Sequence, residues 1–269
     1  MNGTSAGAQT LGLIAGAGNI RFAGIVGGET PLGAITITSA NNVTAVAITA
    51  ASLQQVAGTG TTTFNGAQNY NAIAGLNVVT GGTIVLNNTV TTTASGTVTL
   101  TGTTAVTIAV GGDITSDGAV NFTSTGGIST AGNVTTTNDV VNYNSATTLT
   151  GNVLVNTGAG IGDINYFNTL NGTFDLGLTA GTGNILFAGA VGAVNALGAV
   201  TVTSAANVTF NSSFAAASYT QNGGTGDTTY DGLLNLSGAF SFIGNALTLN
   251  GVGNNVVGST AGGMTVPNA

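Results

Sequence analysis

A stack of parallel β-coils is the fold this sequence predicts, and three observations predict it. Of the 269 residues, 45 are glycine and only 3% carry charge, against about 25% in an average globular domain. Short stretches rich in Val, Ile, Thr and Phe alternate with period two, so that in "NIRF" Ile20 and Phe22 face in and Arg21 out. The alternation restarts after Gly, Asn or Ser every 19–24 residues, the period range of solenoids.

These observations are consistent with one another. The apolar fraction, 42%, is ordinary and supplies a core, while low hydrophobicity with high charge, the signature of disorder, is missing. No helical period is sustained, and so many glycines and β-branched residues make helices costly. The expectation is an all-β, right-handed parallel β-helix of about 12–13 coils of roughly 21 residues, with residues 1–269 forming a single continuous solenoid. A propeller would need an Asn-Gly or Asp-Gly hairpin at most strand pairs, whereas Asn-Gly occurs only at 2, 65, 171, 222 and 250. A left-handed hexapeptide coil would repeat every 18 residues, which is not seen.

A longer repeat overlies the coils. "LGLIAGAGNIRFAGIVGGETPLGAITITSANNVT" at 11–44 returns at 176–209, with 23 of 34 positions identical at an offset of 165. Likeness continues through 66 and 232 at an offset of 166, so one residue is gained on the way. A one-residue slip inside a strand would turn every following side chain inside out, which places the insertion in a turn. The long repeat, 11–66 and 176–232, is read as about eight coils.

The scarcity of charge follows from the stack, because a charged side chain repeated in register would face its like about 4.8 Å away in the next coil. Alanine, valine and isoleucine suit a narrow interior, outward threonines suit a strand surface, and glycine and asparagine suit left-handed corners. In "AITITS", Ile35 and Ile37 are expected inside and Thr36 and Thr38 outside.

Several functions are excluded by composition. With Arg21 as the one basic residue and a net charge of −7, the chain cannot neutralise a nucleic-acid backbone or anionic lipid. It has no cysteine for disulfides or thiolate sites and no histidine for a Ser-His-Asp arrangement. The amino terminus lacks a basic segment and an apolar run, no stretch reaches membrane-span length, and Met1 reads as an initiator before an internal fragment.

The remaining candidates are few. Asp113 with Asp117, and Asp227 with Asp231, are the carboxylate pairs a glycosidase would require. Asp163 joins these four as calcium candidates near glycines, but the aspartate-bearing nonapeptide calcium repeat is not present, and turn capping is the expected role. The charges of Arg21, Glu29, Asp175, Asp227 and Asp231 are not kept in the other copy of the repeat: the partners are Leu186, Val194, Thr10, Thr61 and Asn65. "GAGNI" and "GTGNI" imitate a phosphate loop without the helix that must follow. The Asn-x-Ser/Thr sequences at Asn2, Asn42, Asn87, Asn121, Asn133, Asn171, Asn207 and Asn211 arise from composition. Thr-x-Thr pairs, the ice-binding pattern, lie at Thr36/Thr38, Thr61/Thr63, Thr91/Thr93, Thr97/Thr99 and Thr201/Thr203, out of coil register. A sugar-binding face would expose aromatics together, whereas the five tyrosines, Tyr70, Tyr143, Tyr166, Tyr219 and Tyr230, are few and scattered. No catalytic, cofactor or metal residue is assigned.

The stretches "GAITITSANNVT", "GTGTTTFNG" and "GDITSDGAVNFTSTGGISTAGNVTTT" resemble the strand-repeat shafts of large bacterial surface proteins, the filamentous-haemagglutinin-like and autotransporter-passenger adhesins. The resemblance covers the chain in repeat style and implies secretion, a β-helical shaft, and work in adhesion, biofilm matrix or surface layers. The expected function is therefore a non-catalytic extracellular rod or cell-surface segment that associates end to end. The alternatives are an adhesin module that binds carbohydrate or a cell surface and an ice-binding solenoid.

Overall fold

The computed structural model describes residues 1–251 and 264–265, and among these every regular element is a β-strand. The chain divides into two compact units, Met1–Val134 and Thr135–Ala269. Each is a parallel β-solenoid with three faces per turn.

In the first unit one face is built from Leu11–Ile14, the latter parts of Leu32–Ser39 and Ile48–Gln55, Leu76–Thr80, Val98–Gly102 and Val120–Ser124. Along it Leu11, Ile35, Leu53, Leu76, Val98 and Val120 stand in register, which gives steps of 24, 18, 23, 22 and 22 residues. A second face stacks Ile20–Phe22, Val43–Ala45, Thr62–Phe64, Thr83–Leu86, Ala105–Ile108 and Ile128–Thr130. The third face carries Val26, Ile48–Ala50, Gln68–Tyr70, Val90–Thr92 and Ile114–Ser116. The second unit repeats this plan: Val141–Tyr143, Ile164–Tyr166, Ile185–Phe187, Val208–Phe210, Asp227–Tyr230 and Ala246–Leu249 form one face. Coils lie about 22 residues apart. The described residues make about 11 turns; the expected 12–13 also counts residues 252–263 and 266–269, which lie outside them.

The alternation read from the sequence holds. Ile35 and Ile37 are buried while Thr36 and Thr38 are not, and Ile20 and Phe22 are half-buried around the exposed Arg21. The inserted residue of the long repeat falls where register is safe. In the first copy two residues, 46 and 47, separate Val43–Ala45 from Ile48; in the second, three residues, 211–213, separate Val208–Phe210 from Phe214. Ile48 and Phe214 then occupy matching places, bridging Val26 and Val191 in parallel. A corner absorbs what a strand cannot.

Asparagine corrects one expectation. Besides nine glycines, the described residues with left-handed backbone are Ala94, Ser95 and Asn138, so asparagine rarely supplies the φ of a corner. Its amide joins neighbouring coils instead, as described below. Glycine does supply it where the coils touch most closely. Gly27 and Gly192, equivalent in the two copies, have φ of 68° and 69°, and a Cβ on either would run into a carbonyl oxygen of the next coil, Thr49 or Ala215. The neighbouring Gly28 lacks the left-handed φ and a Cβ there would meet only the Ile25 side chain, and the second copy places Ala193 there, beside Ala190.

The core is not wholly apolar. Buried Gln55 accepts a 2.8 Å hydrogen bond from the Thr62 hydroxyl, and its second-copy counterpart Gln221 accepts one of 2.9 Å from Thr228. Tyr70 donates to Gln68 and Tyr219 to Gln221. Pairing inside the stack satisfies groups whose burial alone would be costly.

Candidate functional site

The carboxylates are the natural starting point for any chemistry, and the fold separates them. Asp113 and Asp117 flank the three-residue strand Ile114–Ser116, so four extended residues, about 13 Å, lie between them. Asp227 and Asp231 bracket Asp227–Tyr230 in the same way. These backbone separations are longer than the about 5–10 Å between the carboxyl groups of a glycosidase pair. Among the described residues no three His, Cys, Asp or Glu side chains gather as a metal set would require.

What the aspartates do is join coils. Asp113 Oδ1 accepts the Asn133 N–H at 2.7 Å, one coil on, and Asp117 Oδ2 accepts the Ser95 N–H at 2.8 Å, one coil back. Asp175 Oδ1 accepts the Ala199 N–H at 2.7 Å. This is the turn-capping role expected of them.

Asparagines extend the same device into a ladder along one corner. In the second unit Asp163 Oδ1 accepts from the Asn184 backbone at 2.6 Å and from its amide at 3.2 Å; Asn184 Oδ1 accepts from Asn207 Nδ2 at 2.9 Å; Asn207 Oδ1 accepts the Asp227 N–H at 2.9 Å. The first copy repeats it with Asn19, Asn42 and Thr61: Asn42 Nδ2 donates to Asn19 Oδ1 at 3.0 Å and Thr61 donates its N–H to Asn42 Oδ1 at 2.8 Å. An amide suits this better than a carboxylate because it accepts from the coil ahead while donating to the one behind. Asparagines stand between Asp163 and Asp227, so like charges are not neighbours. We expect Asn207→Ala, which breaks two rungs, to lower the unfolding free energy by about 1–2 kcal/mol in urea titration. A change within error would show the rungs to be replaced by water at no cost.

The tyrosines lie inside, all five of them. On one face of the second unit, Tyr143, Tyr166, Phe187, Phe210 and Tyr230 form a column of parallel rings with successive centroids 4.5, 5.2, 4.8 and 4.3 Å apart. Phe214 and Tyr219 meet Phe210 edge-on. The signal lay in the sequence as a triplet, Val141-Asn-Tyr143, Ile164-Asn-Tyr166, Ile185-Leu-Phe187, Val208-Thr-Phe210 and Thr228-Thr-Tyr230, in which the aromatic shares the inward parity of its partner. Burial pushes the phenolic groups well above their ordinary value, and for Tyr166 the adjacent Tyr143 raises it further. These rings therefore form no sugar-binding platform.

The outward threonines are shared among all three faces. Thr36 and Thr99 stand in a column with Gly12, Gln54, Asn77 and Asn121; Thr63 stands with Arg21, Thr44, Val85, Thr107 and Ser129; Thr91 stands with Thr49, Asn69 and Thr115. They make no single flat array. The "GAGNI" loop is a turn, Gly16 to Ile20, with Asn19 in the ladder, and no helix follows it. Arg21 is exposed, and Leu186 takes its place on the outer surface of the second copy. No helix among the described residues is long and apolar enough to cross a membrane.

Fold and surface thus define a β-solenoid in which corner aspartates and asparagines hold coil to coil. Compared with protein-family models, with curated proteins and with solved structures, the chain matches none.

Proposed function

We propose that this chain is a structural segment of an extracellular or cell-surface rod, non-catalytic, whose work is the stacking of coils and which joins other copies end to end. The observation that carries this reading is a pair of equivalent strands in different surroundings. Leu176 and Leu178 are sandwiched between Val153–Asn156 and the Val200–Ser204 segment and are fully buried. Leu11 and Leu13, the same residues in the first copy, pair among the described residues only with Ile35–Ser39 and are half-exposed. Ile20–Phe22 likewise pairs only with Val43–Ala45, although Ile185–Phe187 is paired on both sides.

An open parallel edge with apolar side chains beside it is a template for another strand. Met1–Gln9 covers part of this end, because it bonds to the segment 25–33: Met1 to Ile25 and Gly27, Gly3 to Thr30, Gly7 to Pro31 and Gln9 to Gly33. Among the described residues it leaves the Leu11–Ile14 and Ile20–Phe22 edges without a second strand partner. A coil like the one preceding Leu176 fits there, and the aspartates and amides of the corners extend the junction.

Sedimentation velocity across a concentration series, with electron microscopy of the same samples, tests the reading. Growth of elongated oligomers with concentration is expected, together with slow digestion by proteinase K, a fair probe since trypsin has only Arg21 to cleave. A monomer at every concentration, without fibres and rapidly digested, would sink it.

A further inference from the structure

Five Asn-Gly pairs, Asn2–Gly3, Asn65–Gly66, Asn171–Gly172, Asn222–Gly223 and Asn250–Gly251, occur in the chain. Such pairs invite attack of the following backbone nitrogen on the side-chain amide, because glycine has no Cβ to shield its nitrogen. The structure separates Asn65 from Asn171. Asn171 is held on both sides of the reacting bond: its Oδ1 accepts the N–H groups of Val194 and Asn195 at 2.9 and 3.4 Å, and buried Gly172 donates its own N–H to Asn195 O at 3.2 Å. Asn65 is exposed, its Oδ1 accepts only from Asn87 Nδ2 at 2.8 Å, and the Gly66 N–H makes no hydrogen bond among the described residues.

The second copy of the long repeat carries an aspartate at this place. Where the first has Asn65–Gly66, the second has Asp231–Gly232. Asp231 Oδ1 accepts from Asn250 Nδ2 at 2.9 Å, as Asn65 accepts from Asn87, and the Asp231 N–H donates to Phe210 O at 2.8 Å, as that of Asn65 donates to Ala45 O at 2.8 Å. Both glycines are packed against the backbone of the preceding coil, at Val46–Ala47 and Ser212–Ser213. The side chain at this corner is therefore needed as an acceptor, and a carboxylate serves as well as an amide.

We propose that Asn65 is a deamidation site of the folded protein, and that the solenoid keeps the aspartate product as a rung between coils. The Gly66 nitrogen attacks Asn65 Cγ and forms the N–Cγ bond; the Cγ–Nδ2 bond breaks, and ammonia leaves with the proton the Gly66 nitrogen gives up. Water then opens the cyclic imide. Opening at Cγ restores the normal main chain and gives aspartate. Opening at the Asn65 main-chain carbonyl gives isoaspartate, whose extra backbone methylene lengthens a corner that Gly66 already packs tightly and moves the acceptor off the rung.

The test is peptide mapping by mass spectrometry of the whole chain after long incubation at neutral pH, native and in denaturant, alongside the variant Asn65→Asp. In the native protein Asn65 should convert several-fold faster than Asn171, while in denaturant the two rates should converge. N65D should fold, melt at the unaltered temperature and co-elute with the aged acidic species. Three results would overturn the proposal: an Asn65 that stays amide in the native protein while converting in denaturant, an Asn171 that converts as fast in the native state, or an N65D that melts lower or fails to fold.

Discussion

Raised above about pH 10, the protein is expected to unfold cooperatively, with tyrosinate absorbance and the loss of β-sheet circular dichroism rising together. All five tyrosines are buried and burial lifts their pKa above the ordinary value of about 10. Below that value both states hold the phenolic proton and the contribution to stability is complete. Above it the unfolded chain sheds protons that the folded chain keeps, so stability falls as pH rises towards the folded pKa. Each buried tyrosine removes up to about 1.4 kcal/mol per pH unit, five together up to about 7 kcal/mol. A typical domain has 5–15 kcal/mol in all, so the transition should be complete within a unit or two. The assignment is clean, since the chain has no lysine or cysteine to titrate in this window. A gradual tyrosine titration centred near pH 10 with the sheet intact would show the rings to be reached by water.

That interior column marks where the sequence was readable and where it was not. Alternation placed Ile20, Phe22, Ile35 and Ile37 inward and Arg21, Thr36 and Thr38 outward because in a strand parity is the only variable, and parity survives in a single chain. The corner location of the inserted residue followed from the same rule. The aspartates could be assigned to turns because a charge has nowhere else to go in a stack of this kind. The tyrosines, though, were read as scattered residues, because what makes them a column is a step of 20–23 residues between coils, Tyr143 to Tyr166 to Phe187 to Phe210 to Tyr230, and parity within each strand does not show it. The asparagine ladder was hidden for a related reason. Propensity ties asparagine to left-handed corners, but with an amide of the next coil within 3 Å, cross-coil bonding wins and the backbone stays ordinary. Gln55 and Gln221 were missed although each is retained with its threonine in both copies, the signal that distinguishes them from the exchanged charges.

Replacing Phe210 with alanine should be the costliest single truncation in the second unit, lowering the unfolding free energy by about 3–5 kcal/mol. Its ring lies 4.8 Å from Phe187 and 4.3 Å from Tyr230 within the column, and Phe214 and Tyr219 press on it edge-on, at 4.7 and 6.0 Å. Removing it opens a gap bounded by four rings held by three strands, none of which can close in without shifting its own coil. The first copy makes the expectation sharper, because the equivalent residue is already alanine: Ala45 is fully buried between the positions of Phe22 and Phe64. Alanine is tolerated there in a different setting, with Ile48 and Leu53 where the second copy has Phe214 and Tyr219, and with Tyr70 where it has Leu236. The fold thus accepts alanine or phenylalanine at this site only together with its neighbours, which is how close-packed interiors behave. Thr209→Ala, one residue away but facing outward between Leu186 and Thr229, is the control and should change stability by no more than about 0.5 kcal/mol. Equal losses for the two variants in denaturant titration would mean that the column adds nothing beyond the backbone ladder, and that the aromatic stacking of the second unit is incidental to its stability.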